Sequence, residues 1–158
     1  MNKPILTLTM ALLALAVTAS AADLEYSGTF CGHARNTVLY AGPDLTVVTW
    51  ESWGIQTPES TFEPWKNASV RCVGYGRVAD GKMTSTGSCL WTDSTGDTFI
   101  GEFQGVPDKP GVWRFLSGTG KWKGITGGGQ YQPVSRGKNF ADATAATCTT
   151  HSGKYTLP

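Results

Sequence analysis

Residues 70–91 read VRCVGYGRVADGKMTSTGSCLW, and this stretch decides the fold. Asp80-Gly81 lies between two runs of strand-favouring residues, which is the strongest short-range signal for a β-hairpin. A two-residue turn at this point sets a register in which Cys72 lies opposite Cys89. Counting outward from the turn makes them a non-hydrogen-bonded pair, whose Cα atoms lie about 4.5 Å apart, within disulfide range. The turn therefore predicts a disulfide between these two cysteines.

The same register divides the hairpin side chains into two faces. One face carries no charge and comprises Val70, Cys72, Gly74, Gly76, Val78, Met83, Ser85, Gly87, Cys89 and Trp91. The other face carries Arg71, Tyr75, Arg77, Thr84, Thr86 and Ser88. The uncharged face should point inward. Because its middle is glycine and serine, we expect tight coiling or open space there. The predicted ligand-binding residues are Gly74, Gly76, Ser85, Gly87 and Trp91.

The rest of the chain indicates an all-β fold with little helical periodicity. Only residues 140–147 could form a helical turn or two, and they fit a loop equally well. Further strands are predicted at 25–31, 45–53, 98–104, 112–116, 122–126, 130–134 and 147–155. Many short strands separated by glycine turns favour a closed antiparallel barrel or a sandwich. With Cys72 paired to Cys89, the remaining bridge is Cys31–Cys148, which would join the first strand to the last.

The N-terminus predicts export. Lys3, a short apolar run from Ile5 to Val17 and the small residues before Ala22 are typical of a signal peptide cleaved after Ala21. Removing 21 of the 158 residues leaves 137, enough for a single β domain over 22–158. An even number of cysteines, four, in an exported chain favours two disulfides. We therefore expect a secreted or periplasmic protein that does not stay in the membrane after cleavage.

The charge balance excludes some partners. Loss of Lys3 leaves 12 basic against 12 acidic side chains, so the mature chain is formally neutral. Such a surface has no electrostatic attraction for nucleic acid, and we expect no nucleic-acid partner. Oligomeric state does not follow from the sequence.

Two glycine-rich segments resemble a known superfamily. Residues 118–131 read GTGKWKGITGGGQY and residues 87–97 read GSCLWTDSTGD. These segments are similar to the strand-turn-strand and the preceding acidic loop of the allene oxide cyclase-like barrels, in their bacterial secreted form. The resemblance implies an eight-stranded antiparallel barrel with a central cavity, related to the dirigent proteins. It also implies a small apolar ligand, but it implies no particular activity.

No motif predicts a cofactor or a metal. The third glycine of the 118–129 run is displaced from a dinucleotide fingerprint, and Trp122 follows Lys121 where a phosphate loop needs Ser or Thr. His33 and His151 could join Cys31 and Cys148 around zinc. In an oxidising compartment we expect the disulfide instead, which leaves two surface histidines.

Three carboxylates are candidate general bases: Glu51, Glu102 and Asp97. Glu51 lies among aromatic residues, where burial would raise its pKa. For each of them a solvated position on the outer face is the alternative. Asn67-Ala-Ser69 is a glycosylation sequon that matters only in a eukaryotic source.

Three functions remain open at this level. The leading hypothesis is a secreted barrel that binds a small, largely apolar molecule without a cofactor. The first alternative is a cofactor-free isomerase or cyclase that uses a buried carboxylate, and the second is a structural or interaction module with a filled barrel. Cavity volume distinguishes the filled barrel from the other two, and a carboxylate inside the cavity would favour the isomerase.

Overall fold

The computed structural model describes residues 23–59 and 65–158. The predicted signal segment, residues 1–21, lies outside the described residues. Among the residues that are described, no helix is long and apolar enough to span a bilayer. They form eight antiparallel strands: β1 (Leu24–Ala41), β2 (Leu45–Pro58), β3 (Ala68–Ala79), β4 (Lys82–Thr92), β5 (Thr98–Gly105), β6 (Gly111–Gly118), β7 (Thr126–Gly137) and β8 (Thr144–Thr156).

The sheet closes on itself. Each strand pairs with its neighbours in sequence, and β1 also pairs with β8, so the order is that of a closed barrel. The fold predicted from the sequence, an all-β closed antiparallel barrel of about eight strands with two disulfides, is therefore confirmed.

The β3–β4 hairpin has the register predicted from its turn. Asp80 and Gly81 both have positive φ, at 52° and 69°, as a two-residue turn of this kind requires. Cys72 lies opposite Cys89 in the ladder, and the two are joined by a disulfide. The turn chemistry thus determined the pairing of the strands eight residues away from it.

The second disulfide, Cys31–Cys148, joins β1 to β8 and closes the barrel covalently. It lies on the outside of the wall, where Cys31 is exposed. Cys72 and Cys89 instead point into the barrel, where they are 4% and 8% exposed. The two bridges therefore have different access to solvent.

Two local predictions need correction or refinement. The strand predicted at 122–126 is wrong, because Gly120–Trp122 forms a 3-10 turn and β7 begins only at Thr126. Trp122 is buried at the end of the barrel rather than paired in a ladder. The segment at 140–147 contains no helix, since a loop follows β7 and β8 begins at Thr144.

The core lies at one end of the barrel. It is built largely from aromatic side chains that come from the starts of the odd-numbered strands and the ends of the even-numbered ones, together with Trp65 and Trp122. Its buried hydrophobic members are Tyr26, Trp65, Ala68, Val70, Cys72, Cys89, Trp91, Phe99, Trp113, Phe115, Trp122, Ile125 and Tyr155. This packing fills the end opposite the β3–β4 turn and leaves the hairpin end less filled.

Candidate functional site

Large rings cover the glycines at the middle of the β3–β4 wall. Gly74 on β3 pairs with Gly87 on β4. On the two flanking strands, Trp50 of β2 pairs with Gly74 and Phe103 of β5 pairs with Gly87. A Cβ on Gly74 would overlap the indole of Trp50, and one on Gly87 would lie 2.5 Å from Cζ of Phe103. The two rings stack on each other across the glycine pair at 5.5 Å.

This packing corrects the expectation that the hairpin glycines leave open space. At Gly76 the methyl group of Met83 fills the space beside the backbone, because an added Cβ on Gly76 would lie 2.7 Å from Cε of Met83. Of the five predicted ligand-binding residues, Ser85 and Trp91 do line the cavity described below, whereas Gly74, Gly76 and Gly87 do not. The glycines admit aromatic rings from neighbouring strands, a packing arrangement known as aromatic rescue.

A cavity of about 260 Å³ lies inside the barrel. Trp91 and Trp113, with ring centroids 5.7 Å apart, lie between it and the filled end. The wall includes Phe30, Trp50, Ser52, Phe103, Tyr131 and the Cys72–Cys89 bridge. Toward the hairpin end the lining changes to smaller or more polar side chains, among them Ala34, Asn36, Ser85, Ala145 and Thr147. The site is an aromatic cavity with a more polar mouth.

His151 is a cavity-lining residue that the sequence analysis did not identify. It lies on β8 and lines the cavity, so the prediction of a surface histidine is wrong for this residue. Its imidazole packs among aromatic rings, with centroids 5.9 Å from Tyr131 and 6.0 Å from Trp113. Burial lowers the pKa of His151 to about 4, so the ring is neutral at pH 7.

His33 lies on the outer surface, as predicted. It stacks on Trp53 at 5.2 Å, and the ring of Phe140 meets it edge-on. His33 and His151 therefore lie on opposite sides of the wall, while Cys31 and Cys148 are consumed by their disulfide. The four residues considered for zinc do not form one site.

The candidate general bases lie away from the cavity interior. Glu51 accepts a hydrogen bond from Arg71 at 2.6 Å on the outer face. The carboxylate of Glu102 pairs with Arg114 and is 42% exposed, although the residue contributes to the cavity wall. Exposed pairs of this kind contribute about 0–1 kcal/mol to stability. Both glutamates therefore match the alternative considered for them, a solvated carboxylate on the outer face of the barrel.

Asp97 belongs to a polar cluster that closes the filled end. The neighbouring Asp93 is 6% exposed and accepts hydrogen bonds from Trp122 Nε1 at 2.8 Å and from Thr95. Lys121 lies 2.8 Å from its carboxylate. Desolvation alone would raise the pKa of Asp93, but Lys121 and the other donors outweigh it and hold the pKa well below its usual range. This cluster joins the two segments that carry the family resemblance.

These features define a closed eight-stranded barrel with a cavity toward one end. A pterocarpan synthase dirigent protein of known structure has the same fold, with a TM-score of 0.54 at 15% identity over 94% of this chain and all of that one. The barrel is thus dirigent-like. The attachment invasion locus protein Ail of Yersinia pestis also aligns, at 9% identity over 84% of this chain and 98% of that one, but its TM-score of 0.16 is too low to indicate a shared fold. No protein-family model matches the sequence, and no curated protein matches it either.

Proposed function

We propose that the protein binds a small, largely apolar molecule in its barrel cavity. The observation that carries this proposal is the cavity itself, whose wall is formed mainly by aromatic rings while its mouth is more polar. Ligand sites in proteins have this composition, with apolar walls and a few placed polar groups.

The size of the cavity limits the ligand. At about 260 Å³ it is slightly smaller than the range of about 300–1,000 Å³ typical of ligand sites. A molecule of one to three fused rings suits it better than a long acyl chain. Burial of about 200 Å² of apolar ligand surface would contribute about 5 kcal/mol before the cost of association.

The proposed setting is outside the cytoplasm, either secreted or periplasmic. All four cysteines are in disulfides, and disulfides persist in oxidising compartments. The N-terminal segment with Lys3 and Ala21 would direct the chain there.

The other two functions have weaker support. A filled structural module would not need a cavity of this volume. An isomerase that uses a buried carboxylate would need such a group in the cavity, whereas Glu51 and Glu102 direct their carboxylates to arginines on the outer face.

Binding of 1-aminoanthracene, an uncharged fluorescent three-ring probe, tests the proposal. Ala145 lines the cavity. Ala146, its neighbour on β8, faces the other side of the wall, opposite the exposed His33 on β1. Ala145→Phe and Ala146→Phe therefore form a matched pair. We expect Ala145→Phe to weaken probe binding at least tenfold and Ala146→Phe to leave it unchanged. Equal binding by both variants, or no binding by the unmodified protein, would contradict a cavity site.

A further inference from the structure

Two side-chain oxygens meet on the inner wall of the barrel, near the mouth of the cavity. The ring of Tyr131, on β7, lies across Gly111 of β6, because a Cβ added to this glycine would overlap the ring. At Gly105 of β5, an added Cβ would lie 2.7 Å from the Tyr131 oxygen and 2.6 Å from Oγ of Ser85. Ser85 pairs with Gly105 in the ladder and shares a hydrogen bond with the Tyr131 hydroxyl. Two glycines thus let one tyrosine reach from β7 to β4.

Both of these side chains face the cavity. Tyr131 and Ser85 belong to the cavity lining. Each residue is only half-buried although its side chain points inward, so its accessible surface faces the cavity or the mouth. Beyond its backbone Ser85 has only Cβ and Oγ, so the surface that it presents to the cavity includes the oxygen. A ligand in the cavity can therefore reach the hydroxyl pair.

The hydroxyl pair always has one hydrogen left to donate. Each hydroxyl has one hydrogen and two lone pairs, and the bond between the two oxygens uses one of the hydrogens. Whichever oxygen donates in that bond, the other O–H remains for a third group. Burial raises the pKa of Tyr131, although the bond to Ser85 opposes this, so the phenol keeps its proton at pH 7. The cavity therefore offers one O–H donor at a defined place on its wall.

The surroundings of the hydroxyl pair restrict what this donor can bind. Among the described residues no lysine or arginine lines the cavity, and His151 is neutral at pH 7. The other polar side chains near the mouth include Asn36 and Thr147, which come from β1 and β8, across the barrel from β4 and β5. Phe103 instead meets the Tyr131 ring edge-on at 6.0 Å. The donor thus lies beside aromatic rings, with no cation to attract an anion.

We propose that the Tyr131–Ser85 hydroxyl pair binds a carbonyl oxygen, and that the ligand of the cavity is an uncharged ring ketone. This inference rests on the proposed cavity function and adds the chemical class of the ligand. The apolar rings lie against Trp50 and Phe103, and the carbonyl oxygen accepts the remaining O–H. A hydrocarbon of the same shape leaves that O–H unpaired, which lowers its affinity. A ring alcohol must also give up the hydration of its own O–H, and a carboxylate loses its hydration without gaining a counter-charge.

Four small probes of one shape test this assignment: indane, 1-indanone, 1-indanol and indane-1-carboxylate. Each is measured by competition with 1-aminoanthracene at pH 7. In the unmodified protein 1-indanone should bind more tightly than 1-indanol, and the carboxylate should bind most weakly of the four. Tighter binding of 1-indanol than of 1-indanone would overturn the ketone assignment. Tighter binding of the carboxylate than of the ketone would overturn the choice of an uncharged ligand.

Substitution of the two hydroxyls isolates their contribution. Because indane is more hydrophobic, the informative quantity is the ratio of the indane to the 1-indanone dissociation constant. We expect this ratio to fall at least about fivefold in Tyr131→Phe/Ser85→Ala, since the carbonyl then loses its donor. Tyr75→Phe/Ser88→Ala is the matched control, because both residues line a groove on the outer face of β3 and β4. It should leave the ratio unchanged, and the indane affinity of each variant reports cavity packing separately.

A spectroscopic readout separates hydrogen bonding from packing. The carbonyl stretch of bound 1-indanone should lie at lower frequency in the unmodified protein than in Tyr131→Phe/Ser85→Ala. Should the double variant fail to fold, the two single variants decide, because each removes the oxygen that holds the other in place and should lower the ratio in part. An unchanged ratio together with an unshifted carbonyl would overturn the hydroxyl pair while leaving cavity binding intact. Failure of all probes, 1-aminoanthracene included, would overturn both proposals.

Discussion

Trp50 lies over Gly74, its partner on the next strand, so closely that the indole occupies the position of a Cβ at the glycine. The same relationship links Phe103 to Gly87, and the two rings then stack on each other. Four adjacent strands thus contribute one row in which two glycines make room for two aromatic rings. The aromatic rings that narrow the barrel interior belong to β2 and β5, and the glycines that leave room for these rings belong to β3 and β4.

We expect Gly74→Ala to destabilise the protein by about 1–3 kcal/mol, because the methyl group must displace the Trp50 indole. Urea unfolding at pH 7 measures this change. The clearest control is a double-mutant cycle, since Trp50→Ala removes the overlapping ring. In that background Gly74→Ala should be nearly neutral. An equal loss of stability in both backgrounds would mean that Gly74 is required for its backbone conformation and not for the room it leaves to the Trp50 indole.

The sequence predicted the hairpin and both disulfides because these follow from local turn chemistry and from cysteine positions. The closed barrel was expected from the resemblance of residues 87–97 and 118–131 to a barrel superfamily, since the strand pattern alone also allowed a sandwich. The sequence could not identify the rings over Gly74 and Gly87, since those rings come from strands whose register the hairpin does not determine. The prediction of open space at these glycines was wrong for that reason.

His151 could have been placed inside from a single additional fact. Side chains alternate along a strand, so residues an odd number of positions apart face opposite ways. His33 is two residues from Cys31 and shares its outward face, whereas His151 is three residues from Cys148 and must face inward. Which face the bridge occupies depends on the closure of the whole barrel, and the sequence alone does not give it. The same alternation puts Glu51 outside once Trp50 is known to point in.

The two disulfides should be reduced in a fixed order. Cys31 is exposed on the outer face, while Cys72 and Cys89 are enclosed in the barrel, and a thiolate reductant needs access to sulfur. Under mild reduction of the folded protein, alkylation followed by peptide mapping should label Cys31 and Cys148 first. Protein unfolded in urea, where access is equal, serves as the control. Earlier labelling of Cys72 and Cys89 in the folded state would contradict the assigned faces.

Loss of the outer bridge should also destabilise the chain more than loss of the inner one. Cys31 and Cys148 are 117 residues apart, against 17 for Cys72 and Cys89. The loop-entropy model gives about 5 and about 3 kcal/mol respectively, as upper values. The Cys31→Ala/Cys148→Ala and Cys72→Ala/Cys89→Ala double variants, unfolded in urea, provide the comparison. The reverse order of stability would show that packing of the inner bridge outweighs chain entropy.

Asp93→Asn should destabilise the filled end by about 2–4 kcal/mol. The change removes the buried charge that pairs with the half-exposed Lys121 and disturbs the acceptor for the buried Trp122 Nε1. Asp108→Asn is the matched control, because Asp108 pairs with Lys82 at 3.0 Å where both side chains are exposed. It should cost no more than about 0.5 kcal/mol. Similar thermal shifts for the two variants would refute a structural role specific to the buried carboxylate.

Acidification should weaken the fold through His151. Its pKa is 6.5 when unfolded and about 4 when buried, so between these values the unfolded chain binds more protons. Stability is therefore complete above about pH 6.5 and falls as the pH drops toward 4. Tyr131, the titratable group facing the imidazole from β7, has a pKa raised above 10 and stays neutral throughout. At pH 4.5 the loss of stability attributable to His151 should be about 2–3 kcal/mol.

Because carboxylates also titrate between pH 7 and pH 4.5, urea unfolding of His151→Phe at both pH values provides the reference. The unmodified protein should lose that much more stability than the variant, and equal losses would place the imidazole in contact with water.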